Sequence, residues 1–174
     1  MNIITKFTVV TKQGMEALLL LTKELATEKY STLLKQKILD NYIFRNFNEQ
    51  ALVAEVNSIS NQWLIVYVDD QPAGYACITS KGKRPAPLEG RRAVRIMDFG
   101  VLKKYPAPAV KDALLEKCLA VCKSYDSVWI TEYADNPLIE LFENKGFARQ
   151  HTTGQLDELP LAAVCLISQK LLVP

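Results

Sequence analysis

The chain has 174 residues, of which 49% are hydrophobic, a size and composition that predict one domain over residues 1–174 with a sizeable core. Lysine and arginine total 21 against 19 acidic residues, and a formal charge of only +2 does not indicate binding to a nucleic acid or an acidic membrane surface. The longest apolar run, residues 161–167, is far shorter than the roughly 20 residues of a membrane span. Lys6 and Lys12 interrupt the stretch where a signal peptide would be apolar. We therefore expect a cytoplasmic protein with no nucleic-acid or membrane partner.

The four cysteines have no paired C-x-x-C spacing, and a single histidine is present to assist them as a ligand. We therefore expect no metal site. Cys118 and Cys122 stand four residues apart on a predicted helix, which places both on one face. We interpret them as small buried hydrophobic residues rather than as a ligand pair or a disulfide.

The first half of the sequence alternates strand and helix patterns. In chain order, the predicted elements are a strand over 5–10, a helix over 15–28, a helix from about 31 and a helix after 48. Leu18, Leu21 and Leu25 recur at helical spacing in the first helix. Asn48 is an expected N-cap of the third helix, whose apolar stripe is Leu52, Val53, Val56 and Ile59.

The second half is richer in strands. In chain order, we predict strands over 63–68 and 73–79 joined by a turn, a loop over 81–92, a strand over 94–101, a helix from 110 to about 125, a strand over 128–131, a short helix over 137–144, and strands over 147–151 and 162–171. Such an alternation predicts an α/β or α+β layered sheet.

Three stretches carry a resemblance to a known family, and the third departs from it in part. Residues 63–78, WLIVYVDDQPAGYACI, resemble an antiparallel strand pair with an Ala-Gly-Tyr return, and residues 136–147, NPLIELFENKGF, resemble a pattern of Asn, short helix, aromatic and Gly-Phe. Both patterns occur in the GNAT superfamily of N-acetyltransferases. The resemblance implies a mixed, largely antiparallel central sheet with helices on both faces. It also implies transfer of an acetyl group from acetyl-coenzyme A to a primary amine of a small molecule or peptide.

A looser likeness concerns the acceptor. Phe47, Leu52 and Glu55, which precede Ser60 and the hairpin, are reminiscent of the spermidine/spermine-acetylating branch of the family. A polyamine acceptor calls for an acidic cleft, and the sequence contains no acidic run that would build one.

The third matching stretch, residues 98–118, departs from the family pattern. The family's Arg/Gln-x-x-Gly-x-Gly/Ala loop holds the coenzyme A pyrophosphate on backbone N–H groups at a helix start, and here its motif positions fall on Pro106, Ala109 and Lys111. Pro106 and Pro108 have no N–H to donate, although proline also starts helices well. Lys111 adds positive charge near the helix start, as do Lys103 and Lys104 before it. Coenzyme A binding is therefore left open.

The resemblance implies a set of contacts for the coenzyme. Backbone groups near Phe99, Gly100 and Val101 would hold the oxyanion, Asn136 would hydrogen-bond the coenzyme, and Phe142 stands where the family has its proton-donating tyrosine and would pack against the pantetheine arm. The implied pyrophosphate contacts are Ala107, Ala109, Val110 and Lys111.

Acetyl transfer to an amine of pKa near ~10.4 requires a base, for which the candidates are Asp98, Glu132 and His151. Burial in an apolar strand would raise the pKa of Asp98, whereas a solvated or salt-bridged carboxylate is the alternative. Glu132 follows a strand at its carboxyl end, where a solvated position is again the alternative. Tyr133 is the candidate for protonating the thiolate, and a core or rim aromatic is its other interpretation.

Two functions follow. The first is an N-acetyltransferase that uses acetyl-coenzyme A. The second is a non-catalytic module with the same fold that binds a ligand or dimerises and has lost coenzyme A binding. The sequence identifies neither the acceptor nor the oligomeric state, so a homodimer is left open.

Overall fold

A computed structural model describes residues 1–169 of the chain. The last two residues of the predicted final strand, 170 and 171, lie outside the described residues. The elements are β1 (Ile3–Phe7), α1 (Lys12–Tyr30), α2 (Gln36–Asn46), α3 (Glu49–Asn57), β2 (Asn61–Val68), β3 (Gln71–Thr79), β4 (Ala93–Val101), α4 (Pro108–Val121), β5 (Ser127–Tyr133), α5 (Leu138–Asn144), β6 (Ala148–Gln155) and β7 (Ala162–Gln169).

The seven strands form one sheet in the order β1-β2-β3-β4-β5-β7-β6. The neighbours pair antiparallel except β4 and β5, which are parallel. Helices α1 to α3 pack on one face, against side chains such as Trp63 and Ile65, while α4 and α5 pack on the other, against Leu64 and Val66. This alternation along β2 is expected of a strand buried on both faces. The prediction of a mixed, largely antiparallel sheet with helices on both faces is confirmed.

The β2–β3 hairpin explains the Ala-Gly-Tyr sequence. Asp69 and Asp70 have φ of 48° and 63°, the left-handed pair that a tight two-residue turn requires. A Cβ on Gly74 would lie 2.4 Å from the carbonyl oxygen of Gly100 and 2.8 Å from the Cα of Val101. Glycine at position 74 therefore lets β3 approach β4 closely where β4 ends.

Strands β4 and β5 pair over a short stretch and then separate. The paired residues are Ala93–Arg95 with Ser127–Trp129, and both strands continue beyond them, to Val101 and Tyr133. A register shift at Ile96–Asp98 leaves Met97 as an extra residue on β4. Such a bulge bends and twists the strand, so it helps β4 to diverge from β5.

Several predicted boundaries were wrong. The second helix begins at Gln36, because α1 continues to Tyr30 and the N–H of Ser31 still donates to the carbonyl of Thr27. Ile59 is fully exposed at 102%, because α3 ends at Asn57 before the predicted stripe is complete. Helix α4 ends at Val121, so Cys122 lies in a following 3-10 turn, although Cys118 and Cys122 are both buried as expected.

Among residues 1–169 there is no helix with the length and apolar character that crossing a bilayer requires.

Candidate functional site

The opening between β4 and β5 is bridged by a buried lysine. Lys29, in the last turn of α1, extends from the helix-covered face to the opening, and its side chain is 11% exposed. Its Nζ donates to the carbonyl oxygen of Phe99 at 2.7 Å and to Oδ1 of Asp98 at 3.2 Å, and lies 3.7 Å from Oε1 of Glu132. One ammonium group therefore contacts acceptors from both strands.

Asp98 is held by several donors. Besides Lys29, its carboxylate accepts a hydrogen bond from the hydroxyl of Tyr75 on β3 and one of 2.9 Å from the N–H of Phe99. Tyr75 is buried and stacks on Trp63 at a centroid distance of 5.8 Å. Of the two interpretations that the sequence left open for Asp98, the salt-bridged carboxylate is therefore the observed one.

Glu132 lies inside β5 rather than after it, and the residue is only 3% exposed. Its Oε2 accepts from Nδ2 of Asn136 at 2.6 Å, while Oδ1 of Asn136 accepts from the N–H of Leu138 at 2.9 Å and so fixes the start of α5. Burial raises the pKa of Glu132 above its ordinary value, and the nearby Lys29 charge opposes that rise without cancelling it. The alternative of a solvated strand-end carboxylate was wrong for Glu132.

The charge state of Lys29 follows from the same neighbours. Burial alone would lower its pKa, but the attraction of Glu132 and Asp98, with the hydrogen bond to Asp98, outweighs burial and raises the pKa above its ordinary value. Lys29 is therefore an ammonium at neutral pH.

A cavity of about 520 Å³ lies beside these groups on the face covered by α1 to α3. Asp98 and Glu132 line it together with aromatic side chains that include Tyr42, Phe47 and Trp63. Burial, reinforced by the Asp98 charge, raises the pKa of Tyr42, so this hydroxyl stays protonated near neutral pH. The cavity therefore offers apolar surface together with a few polar groups, as small-molecule sites do.

The lining of the cavity is acidic. Two guanidinium groups, Arg45 and Arg95, face five carboxylates from α3, β4, β5 and the β6–β7 loop, which are Glu55, Asp98, Glu132, Asp157 and Glu158. Arg95 binds both oxygens of Asp157 at 3.0 and 3.1 Å, and Arg45 lies 2.9 Å from Glu158. The sequence has no acidic run, yet folding gathers carboxylates from separate segments around this cavity.

The predicted pyrophosphate segment lies at the opposite face of the sheet, at the start of α4. Pro106, Pro108 and Ala109 are exposed, and the N–H of Val110 donates to the carbonyl of Ala107 at 3.1 Å. Ala107 and Ala109 retain N–H groups at this helix start, whereas the two prolines carry none. Lys111 is half-buried in the first turn of the helix. The helix end is therefore open to solvent but has few donors.

Some of the residues predicted for the site lie at the opening between β4 and β5, and others lie away from the cavity. Phe99, Asp98, Glu132 and Asn136 meet at the opening, and Gly100 lies there under α1, where a Cβ would be 3.1 Å from Leu25. Among the described residues, the cavity lining contains neither Tyr133 nor His151.

Tyr133 packs edge-on against Tyr30 at 6.1 Å, and burial raises its pKa. His151 is exposed on β6. Phe142 is fully buried between Phe99 and Phe147, at centroid distances of 5.3 and 5.4 Å. Tyr133 and Phe142 are thus core or rim aromatics in this structure.

Lys29 was not predicted from the sequence. Lys29 follows Leu25 by four residues and Leu18 by eleven, so it lies in phase with the apolar stripe of α1. A charged residue in phase with a buried stripe is the signal that would have found it, because such a group is buried and needs partners.

Comparisons with known proteins show which solved structures have this fold. No protein-family model and no curated protein matches the sequence. Among solved structures, the PaiA N-acetyltransferase from Thermoplasma acidophilum in complex with coenzyme A matches with a TM-score of 0.77 and 11% identity, over 98% of this chain and 100% of that one.

Two further structures agree. The GNAT-family acetyltransferase from Streptococcus pneumoniae matches with a TM-score of 0.66 and 12% identity, over 97% of this chain and 100% of that one. The GNAT-family acetyltransferase from Elizabethkingia anophelis with acetyl-CoA bound matches with a TM-score of 0.60 and 14% identity, over 97% and 99%. At these identities the likeness shows the fold: the chain has the fold of the GNAT acetyltransferases.

Proposed function

We propose that the protein is an N-acetyltransferase that transfers an acetyl group from acetyl-coenzyme A to a primary amine. The observation that carries this proposal is the separation of β4 from β5, with two carboxylates at the opening and an acidic cavity beside them. Structural neighbours with the same fold have coenzyme A or acetyl-CoA bound, which supports the same co-substrate here.

The residues present fit the coenzyme in part. The N–H of Leu102 points toward β3, where it donates to the carbonyl oxygen of Ala73. The carbonyl of Phe99 points the other way, into the opening, where it accepts from Lys29. Because backbone groups alternate in direction along a strand, Val101 shares the orientation of Phe99 and its N–H is the expected donor to a thioester carbonyl. At the start of α4, Ala107 and Ala109 would hold the pyrophosphate with help from the Lys111 charge. Acetyl-coenzyme A, when bound, supplies the thioester that donates the acetyl group.

Glu132 is the better candidate for the base. Its pKa is raised above the ordinary glutamate value, which suits a general base that works near neutral pH. The Asn136 amide orients the carboxylate through Oε2. Three donors already occupy Asp98, so its proposed role is to hold the site together. Tyr133 keeps its proton and remains the candidate to protonate the thiolate, which can also collect a proton from water.

The acidic lining supports a cationic amine as the acceptor. Five carboxylates against two guanidinium groups and the Lys29 ammonium still leave an excess of negative charge at the cavity, and the aromatic rings suit a cation with an aliphatic body. A polyamine fits this description, as do a lysine-like amine and a peptide amino terminus.

A second function is favoured by the start of α4. Pro106 and Pro108 carry no N–H there, so two donors that could bind a pyrophosphate are missing. A non-catalytic ligand-binding or dimerising module is therefore the second candidate.

Two measurements separate these functions. Calorimetric titration with acetyl-coenzyme A is expected to show binding, and silence at millimolar ligand favours the non-catalytic module. Release of free thiol is then measured with monoamines, polyamines and a peptide amino terminus. Acceleration by at least one amine supports the enzyme, whereas binding without any thiol release contradicts acetyl transfer to these amines.

A further inference from the structure

We propose that Lys29 is a positioning residue that clamps β4 to β5 across the opening and keeps Glu132 available as a carboxylate base. This inference rests on the proposed acetyl transfer for its catalytic meaning, but the clamp itself is a property of the fold.

Lys29 joins β4 to β5 where the two strands have separated. Beyond Arg95 and Trp129 they no longer pair with each other, although β4 still pairs with β3 and β5 with β7. The Lys29 ammonium donates hydrogen bonds to the Phe99 carbonyl and to Asp98, both on β4, and attracts Glu132 on β5 across 3.7 Å. A single side chain from α1 therefore connects the two strands across the opening on the cavity face.

The charges of Lys29, Asp98 and Glu132 form a cluster that does not cancel. Two carboxylates and one ammonium leave it with one net negative charge, so it can accept one proton from an incoming ammonium. Without Lys29, two carboxylates would stand close together in a buried site, and one of them would take up a proton. Glu132 is the more buried of the two, so it is the one expected to be neutralised.

The two carboxylate oxygens of Glu132 have different partners. Oε2 of Glu132 is engaged by Asn136 at 2.6 Å, whereas Oε1 is 3.7 Å from Lys29 Nζ, beyond a normal hydrogen bond. Lys29 thus stabilises the charge on Glu132 without occupying Oε1 in a hydrogen bond. That oxygen can still accept a proton from an acceptor amine that enters from the cavity.

Other titratable groups lie around Lys29, Asp98 and Glu132. They are Tyr75 from β3, Tyr30 from α1, Tyr42 from α2, Tyr133 from β5 and, next to Tyr30 and Tyr42, Asp157 from the β6–β7 loop. Burial raises the pKa of each of the three tyrosines on β3, α1 and α2, so they stay neutral over the pH range in which a carboxylate titrates.

The test compares Lys29→Met, which keeps the apolar stem and removes the charge, with Lys29→Arg, which keeps the charge. The matched control is Lys23→Met, an exposed lysine on the same helix. The dependence of kcat/KM on pH is measured for thiol release, and the Glu132 carboxyl is titrated by carbon-13 NMR. Thermal unfolding is measured for every variant.

For Lys29→Met, the acid limb of kcat/KM and the Glu132 midpoint are expected to move together to higher pH by about one unit or more. Activity at neutral pH should fall about tenfold or more and recover in part as the pH rises. Lys29→Arg should restore most of the wild-type midpoint, and Lys23→Met should leave both readouts unchanged.

Three results would overturn the proposal. An equal loss of activity at every pH, with an unmoved Glu132 midpoint, would mean that Lys29 is merely structural. A rise in activity at every pH would mean that Lys29 blocks the opening. Acetylation of Lys29 itself, detected by mass spectrometry after incubation with acetyl-coenzyme A, would mean that it is an acceptor. If no amine is acetylated at all, the proposed function fails, but the Glu132 titration still tests whether Lys29 keeps Glu132 charged. If Lys29→Met does not fold, Lys29→Gln, which also removes the charge, takes its place, and a Glu132 midpoint unmoved from the wild type overturns the proposal.

Discussion

Asp98 and Glu132 carry the same functional group but have different surroundings. Asp98 is partly exposed and bonded to Lys29, Tyr75 and the backbone, while Glu132 is buried with one oxygen in a hydrogen bond to Asn136. Two carboxylates in unequal environments can take unequal roles, one as a fixed charge and the other as a base.

The first prediction concerns Glu132→Gln, which keeps the shape and the Asn136 side of the contact but removes the base. We expect kcat for amine acetylation to fall about 10²-fold or more with little change in acetyl-coenzyme A affinity. Steady-state thiol release and calorimetry measure the two quantities. Glu140→Gln, an exposed position on α5, is the matched control. An unchanged kcat in Glu132→Gln would remove Glu132 from the mechanism.

The second prediction uses the raised pKa of Glu132. The folded protein binds this proton more tightly than the unfolded chain does, so the resulting stabilisation is complete below the ordinary glutamate pKa, near ~4.3, and is lost as the pH rises through the folded value. The free energy of unfolding of the wild type relative to Glu132→Gln should therefore decrease as the pH rises through that window. Denaturant titrations at a series of pH values measure it, and a relative stability that increases with pH would contradict the raised pKa.

At the scale of elements, the opening depends on how β3 supports β4. Gly74 faces the last two residues of β4, Gly100 and Val101, at a distance that a Cβ would violate. The Ala-Gly-Tyr sequence on β3 thus has a physical role, which is to bring β3 close to the edge of the site.

The third prediction is that Gly74→Ala destabilises the protein by about 1–3 kcal/mol, because the added methyl group must displace the backbone of β4. It should also weaken acetyl-coenzyme A binding, since the shift occurs at Gly100 and Val101. Denaturant unfolding and calorimetry measure both effects. Gly154→Ala on β6 is the control, because a Cβ there meets no atom within 4 Å. Equal stability of the two variants would mean that β4 is not held as described.

The start of helix α4 has few backbone donors for an anion. Its first residue is Pro108, so the helix starts well but lacks one N–H group where an anion would bind. The exposed Lys103 and Lys104 supply charge nearby without supplying the missing donor.

The fourth prediction is that Pro108→Ala binds acetyl-coenzyme A more tightly than the wild type, by about tenfold or more, since a hydrogen bond to a charged group contributes about 1.5–3 kcal/mol. Calorimetry at low and moderate salt measures the change, and affinity should fall with salt for both proteins. Pro87→Ala, at an exposed position in the 3-10 turn Ala86–Leu88 between β3 and β4, is the control. An affinity unchanged in Pro108→Ala would mean that the pyrophosphate does not reach this helix end.

At the scale of the whole molecule, the strand and helix order could be predicted from local patterns. Stripes such as Leu18, Leu21 and Leu25 depend on spacing along a single element, and the sequence carries that spacing. The Asn136 segment and the hairpin also predicted the fold, because their residues act within short stretches of chain.

The site was harder to predict, because its groups come from distant parts of the sequence. The pairing of Lys29 with Asp98 joins residues 69 positions apart, and nothing in either local pattern specifies it. The acidic lining of the cavity likewise draws on four separate segments, so a search for an acidic run could not find it.

We expect acetyl-coenzyme A to bind in the opening between β4 and β5, and an NMR titration of backbone amides with this ligand measures where it binds. The largest saturable shifts should fall on Phe99, Gly100 and Val101 and on Ala107 and Ala109. Shifts confined to other parts of the sheet, or no shifts at millimolar ligand, would contradict it.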